Sequence, residues 1–305
     1  MILCCGEALI DMLPRTTVAG EPAYAPYSGG AVFNTAIALG RLGAPTGFLS
    51  GLSTDLFGQQ LSADLDASGV DSSFAVRSGR HTTLAFVKLT DGKAEYAFFD
   101  EETAGRMLRP EDLPAIPDRV TTLLFGCISL IPEPCGATYE GLMARMAPSR
   151  VIFFDPNLRP GFIPDRGAHL ARMRRMLAMS DIVKVSDEDL AWFGEGDFDE
   201  VAPRWRALGP KIVVMTRGGD GAVALGPHGR VEVPAVSVKV ADTVGAGDTF
   251  NAGMLDSLNA EGLLDKAALA AISSGELAEA LARAVRAAAI CVSRPGANPP
   301  WAHEM

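Results

Sequence analysis

A chain of 305 residues that is 48% hydrophobic can bury a substantial core without disulfides. Its formal charge of −10 and pI near 4.9 argue against nucleic acid and anionic membrane surfaces, both of which call for a basic face. Five cysteines with no C-x-x-C spacing and four scattered histidines assemble neither a disulfide framework nor a transition-metal site.

The opening run Met1 to Ile10 reads as a strand; it lacks a positive leader and carries Glu7, so a soluble, cytoplasmic protein is expected. Helical periodicity follows over Ala31–Leu42, then a strand at Gly47 to Gly51 and a helix at Gly58–Ala67. Thr82 to Leu89 and Ala94 to Phe98 alternate around Asp91-Gly92 and predict a hairpin, which with Tyr24–Tyr27 could form a small separate sheet. Arg109–Pro117 is Pro-rich and reads as a surface loop. Strands at Thr121 to Cys127, Val151 to Asp155, Asp181 to Val185 and Ile212 to Thr216 are joined by helices at Thr138–Met146 and His169–Met179. A hairpin at Ala222–Leu225 and Val231–Pro234 precedes helices at Gly247–Ala260 and Lys266–Val292. Near-continuous apolar strands alternating with helices predict a doubly wound α/β layer.

In Asp242-Thr-Val-Gly-Ala-Gly-Asp-Thr-Phe250, glycines at 245 and 247 precede a predicted helix and leave backbone N–H groups free to form an anion nest. Asp248, in the first turn, is placed to accept a proton from an attacking hydroxyl. The same spacing also fits an ordinary helix start, with Asp248 favoured by the positive end of the dipole. In Ser28-Gly-Gly-Ala-Val-Phe-Asn34, Gly29 and Gly30 would let a ligand lie against backbone, and Asn34 offers a donor and an acceptor to sugar hydroxyls. A close helix–sheet packing turn fits those glycines equally. Asp11 ends the first apolar run, where open α/β folds place ligand groups.

These two segments, in this order and near opposite ends of the chain, resemble the paired signatures of the PfkB/ribokinase carbohydrate kinases. Gly6-Glu7-Ala8-Leu9-Ile10-Asp11 resembles the family's opening strand, and Thr216-Arg-Gly-Gly-Asp-Gly221 its nucleotide-side loop. The resemblance covers essentially the whole chain. It implies a single ribokinase-like three-layer α/β domain over 1–305, with a small discontinuous β lid from 12–28 and 82–104. It implies ATP with Mg²⁺, Asp248 as base, and Gly245, Ala246 and Gly247 as anion hole. Asp11, Gly29, Gly30, Asn34, Phe98 and Arg159 fall with Asp248 on the sugar side; Lys184, Ser186, Thr216, Gly218, Gly221 and Gly247 fall on the nucleotide side.

Where the family usually has Asn-x-x-Glu, this chain has Ser186-Asp-Glu-Asp189, so Glu188 or Asp189 would organise Mg²⁺, the shorter aspartate through a water. A serine N-cap followed by first-turn acids is the competing reading. Asp242, Val244, Arg294 and Gly296 match the backbone-carbonyl positions of a K⁺ site, and relatives with a lid often pair into homodimers through it.

Asp155-Pro-Asn-Leu-Arg159 resembles both fructokinases and 2-keto-3-deoxygluconate kinases. The lid sequence Ala94-Glu-Tyr-Ala-Phe-Phe-Asp100 and Ser293-Arg-Pro-Gly-Ala-Asn-Pro-Pro300 resemble fructokinases more closely, which ranks D-fructose first and ketodeoxygluconate second. A surface salt bridge is the alternative role for Arg159. A dinucleotide dehydrogenase is disfavoured because G-x-G-x-x-G is absent; without G-x-x-x-x-G-K, the anion nest has no phosphate-cradling P-loop lysine. A sugar-binding regulator that has lost catalysis would lack the base or the nest, and both are present.

Overall fold

Strand residues two apart face the same side of a sheet, and here both sides are apolar. Ile2, Cys4, Val151, Phe153, Ile182 and Ile212 belong to one core, while Leu3, Cys5, Ile152, Phe154, Val183 and Val213 belong to another. A sheet covered on both faces is the result, as the near-continuous apolar runs predict. The protein is seen in a computed structural model that describes residues 1–90 and 93–305, with side chains described outside 88–96. The expected Asp91-Gly92 turn lies outside the described residues.

The chain opens with β1 (Ile2–Cys5), β2 (Leu9–Thr16), β3 (Pro22–Gly29), α1 (Ala31–Leu42), β4 (Thr46–Leu49), β5 (Gly51–Ser53) and α2 (Leu56–Ala67). It continues through β6 (Val76–Ser78), β7 (Leu84–Thr90), β8 (Lys93–Phe99), β9 (Thr122–Gly126), α3 (Cys135–Met146), β10 (Val151–Asp155), α4 (Arg166–Met179) and β11 (Ile182–Ser186). The last third holds α5 (Asp187–Phe193), α6 (Phe198–Leu208), β12 (Ile212–Thr216), β13 (Ala222–Gly226), β14 (Gly229–Val233), α7 (Ala246–Ala260), α8 (Lys266–Ala271) and α9 (Ser274–Val292). The main sheet has the order β14-β13-β12-β11-β10-β9-β1-β4, parallel from β4 to β12 and antiparallel at its β13 and β14 edge. Helices α1, α7 and α9 supply Phe33, Met254 and Leu281 to one core, and α3, α4 and α6 supply Tyr139, Met173 and Trp205 to the other. This is the three-layer, ribokinase-like arrangement expected from the sequence.

Two expected elements are split. The run Ile2 to Ile10 breaks at Gly6, where a Cβ would stand 2.5 Å from Val32 Cγ2. The chain there leaves the main sheet, and Ile10 N–H donates to Thr83 O at 3.0 Å in a second sheet. The run Lys266–Val292 breaks before α9 at a capping box: Ser273 Oγ accepts from Glu276 N–H (3.2 Å) and Glu276 Oε2 accepts from Ser273 N–H (2.8 Å). Helix α6 is not anticipated by the sequence, and α5 is the helix of the competing reading, capped by Ser186.

The second sheet has the order β3-β2-β7-β8. One cross-strand row contains Tyr27, Asp11, Ala85 and Phe98, so the small sheet presents Asp11 and Phe98 on the same face. On the opposite face Tyr24, Phe86 and Phe99 stack edge to face, with centroids 5.0 and 5.4 Å apart. Tyr24 is 48% and Phe99 60% exposed.

Candidate active site

A cleft of about 730 Å³ opens between the main sheet's C-terminal edge and the small sheet, the usual site for ligands in open α/β folds. It brings together Asp11, Gly30, Asn34, Phe98, Arg159, Lys184, Ser186, Glu188, Asp189, Thr216, Gly218, Val244 and the turn Gly245–Asp248. Gly29, Gly221, Asp242, Arg294 and Gly296 do not line it; most of them act on the residues that do. Gly29 makes room for Asp11, because a Cβ there would meet Asp11 Oδ2 at 2.2 Å. Gly221, at φ 85, closes the 218–221 turn against β14, where a Cβ would meet Val233 O at 2.2 Å.

The centre of the cleft is the start of α7. Gly245 is its N-cap at φ 77, a left-handed conformation that favours glycine. Among the described residues the N–H groups of Gly245, Gly247 and Asp248 have no acceptor, whereas Ala246 N–H donates to Thr243 O at 3.3 Å. Two of the three N–H groups expected from the sequence, those of Gly245 and Gly247, are thus without an acceptor among the described residues, and that of Asp248 joins them. Free N–H groups at a helix N-terminus are suited to a phosphoryl oxygen.

Asp248 is buried, and Asn34 Nδ2 donates to its Oδ2 at 2.9 Å. That bond joins two segments 214 residues apart in sequence. Burial pushes the Asp248 carboxyl up to about 7, against the Asn34 hydrogen bond, with Asp155 adding to the rise. A carboxylate poised near neutrality can take a proton and release it again, as general base catalysis requires. Asn34 thus orients the acid as well as facing the cleft. Gly30, at φ 104, starts α1 where a Cβ would lie 2.9 Å from Glu7 O. Asp11 sits inside β2, its carboxylate without a hydrogen bond or ion pair among the described residues, and burial raises it to about 6. Arg159 is exposed and donates to carbonyls of its own loop, to Asn157 O at 3.2 Å and Leu158 O at 2.9 Å.

At the other end, Ser186 caps α5: its Oγ accepts from Asp189 N–H at 2.9 Å, and Asp189 Oδ2 accepts from Ser186 N–H at 3.3 Å. Asp189 Oδ1 also accepts from Leu158 N–H at 2.8 Å. Both of its oxygens therefore hold backbone, while the exposed Glu188 carboxylate has no partner among the described residues. For a divalent cation this makes Glu188 the open ligand, with Asp189 able to act through water. Asp242 laces the 242–244 and 294–296 segments together, accepting from Gly296 N–H at 2.9 Å and Val244 N–H at 3.1 Å. Arg294 is ion-paired to Glu304 at 2.5 Å.

Asp155 and Asn251 were not assigned by the sequence reading. Lys184 donates to Asp155 Oδ2 at 3.1 Å, and Asn251 Nδ2 to the same oxygen at 2.7 Å, all beneath the cleft. The signal was a lysine in the otherwise apolar strand Ile182-Val-Lys-Val-Ser186.

Fold and cleft define a ribokinase-like kinase architecture, an eight-stranded sheet with a four-stranded one beside its C-terminal edge. The chain belongs to the pfkB family of carbohydrate kinases, whose description matches residues 1–304. It is similar to a fructokinase of Rhizobium leguminosarum bv. trifolii, 56% identical over 278 residues that cover 91% of this chain and 85% of that one. A fructokinase from Xylella fastidiosa superposes with a TM-score of 0.89 at 29% identity, covering 99% of this chain and 96% of that one. A fructokinase from Vibrio cholerae O395 in its fructose, ADP and calcium bound form gives 0.83 at 25% identity, covering 97% and 94%.

Proposed function

We propose that the protein transfers the γ-phosphoryl group of Mg-ATP to a hydroxyl of D-fructose, giving fructose 6-phosphate in the cytoplasm. The observation that carries this reading is the Asp248 carboxyl, buried, raised to about 7 and held by Asn34 beside unpartnered N–H groups. Asp248 takes the hydroxyl proton as the new O–P bond forms, and the Gly245, Gly247 and Asp248 N–H groups receive charge from the transferred group. Asp11 and Asn34 accept and donate to sugar hydroxyls, and the small sheet covers the sugar through Phe98. Thr216 and Gly218 face the nucleotide. Glu188, and Asp189 through water, would hold Mg²⁺, whose chemistry is to neutralise phosphate charge. The laced Asp242, Val244, Arg294 and Gly296 segments would offer carbonyls to K⁺.

Fructose is favoured over ketodeoxygluconate because the cleft wall at Asp11 is acidic and uncompensated, and Arg159 already serves the carbonyls of its own loop. The fructokinase relatives support the same choice. The outer face of the small sheet, with Tyr24, Phe86 and Phe99, is where we place a homodimer contact.

The test is kcat/KM with Mg-ATP for fructose, ribose, ketodeoxygluconate, adenosine and fructose 6-phosphate. Fructose should rank first. A higher value for ketodeoxygluconate would replace the substrate and make Arg159 its carboxylate clamp; no turnover with any sugar would remove the kinase reading.

A further inference from the structure

The residues that follow α9 stand outside the cleft, yet they lie directly behind the turn that carries the anion nest. Gly245 is the point of contact: a Cβ there would meet Ala297 Cβ at 2.8 Å and Ala297 Cα at 3.1 Å. The turn therefore rests on the backbone of the closing segment, and packing this close passes a shift of residues 296–298 on to the Gly245 N–H. Gly296 N–H also donates to Asp242 Oδ2 at 2.9 Å, and Ala241 N–H to Val292 O at 2.8 Å, so the two segments are joined on both sides of the contact.

Residues 296–298 are held in turn by the far end of α1. Arg41, in the last turn of that helix, donates through Nη1 to Asn298 Oδ1 at 2.8 Å and to Pro299 O at 3.1 Å. Its guanidinium lies over the Trp301 ring, 5.2 Å from the centroid, while its Nε is buried without a partner among the described residues. Glu304 fixes the backbone of that ring by accepting from Trp301 N–H at 2.8 Å, and is itself paired with Arg294. A planar guanidinium suits this combination of stacking and directed donation, and an ammonium does not. About two turns earlier on α1, Asn34 donates to Asp248. One helix thus grips the first turn of α7 twice, at the acid through Asn34 and at the N-cap through Arg41, Asn298 and Ala297.

We propose that Arg41 is a positioning residue for phosphoryl transfer, acting through Asn298 and Ala297 on the Gly245 N–H. This rests on the kinase reading above. Donors to a transferred group are effective because they are fixed before the reaction begins, and a misplacement of about 1 Å can cost about 10²-fold in rate. Arg41 does not line the cleft; its part is to remove freedom from the turn. Losing it slows the transfer and leaves the binding of sugar and nucleotide as it was.

The competing role is a plain clasp: Arg41 ends a helix whose dipole favours a cation there, and its loss would then lower Tm and leave turnover alone. The comparison is Arg41→Met, Asn298→Ala and the two together, assayed with fructose and Mg-ATP well below Tm. Arg41→Met should lower kcat about tenfold with both KM values within about twofold of wild type, the pattern of an interaction made only in the transition state. Asn298→Ala should lower kcat with the same unchanged KM values, and the double variant should be no slower than the slower single one, because both changes break one link. Arg41→Lys should recover only part of the loss. An Arg41→Met kcat within about twofold of wild type, or losses that multiply in the double variant, would overturn the proposal. If Arg41→Met does not fold, Asn298→Ala decides by itself, and a kcat within about twofold of wild type overturns the proposal. Wild-type turnover separates the two claims: an active wild type beside an unaffected Arg41→Met removes only the Arg41 assignment, whereas an inactive wild type removes the kinase reading and this assignment with it.

Discussion

Asp248→Asn should make the protein more stable at pH 8. The Asp248 carboxyl stands at about 7 against 3.8 for an ordinary aspartate, because it is buried. A difference of about 3, at about 1.4 kcal/mol for each pKa unit, sets a ceiling of about 4 kcal/mol on what ionising it costs the fold. The folded value lies above the unfolded one, so the wild-type carboxyl contributes stability below about pH 4 that is lost as pH rises through about 7. Asparagine has the same shape, can accept from Asn34 through its oxygen and does not titrate. Its advantage should grow between pH 4 and pH 8 to about 2–4 kcal/mol. Urea denaturation at pH 5 and pH 8 reads this directly. If Asp248 merely complements the helix dipole, the change costs about 0.3–1 kcal/mol instead. An asparagine variant less stable than wild type at pH 8 would refute the reasoning.

Gly29→Ala should raise the fructose KM at least about tenfold and leave the ATP KM within about twofold, because the new methyl displaces the Asp11 carboxylate it would meet at 2.2 Å; equal changes in both would mean a general loss of fold. Sedimentation velocity should show a dimer for wild type and a monomer for Phe99→Lys, which puts a charge on the exposed ring stack. A wild-type monomer at tens of micromolar would remove the proposed contact.

Much of the main sheet was legible because its strands carry a strong, simple signal. Val151–Asp155 and Ile212–Thr216 are apolar on both faces and have the same bounds in sequence and structure. The split of Ile2 to Ile10 was hidden because apolar residues continue through Ala8, Leu9 and Ile10; only the close approach of Val32 to Gly6 shows the bend. The α8–α9 break was written locally, as Ser273-Ser-Gly-Glu276, but lay inside a long apolar periodicity.

The candidate site divides in the same way. Asp248 and its glycine turn are contiguous in sequence and could be found together. The Asn34 bond to Asp248 and the Lys184–Asp155–Asn251 cluster depend on contacts across 214, 29 and 96 residues, which spacing does not reveal. Ser186-Asp-Glu-Asp189 supported two readings from the sequence. The structure shows the capping box formed, with Glu188 left open to the cleft.

The central claim is that Asp248 takes the proton of the attacking hydroxyl, and its most direct test is the rate of phosphoryl transfer from Mg-ATP to fructose in a single turnover. Asp248→Asn should retain the fold and ATP binding and transfer about 10²–10⁴-fold more slowly than wild type. A variant that keeps more than about a tenth of the wild-type rate, with the chemical step limiting, would contradict the claim.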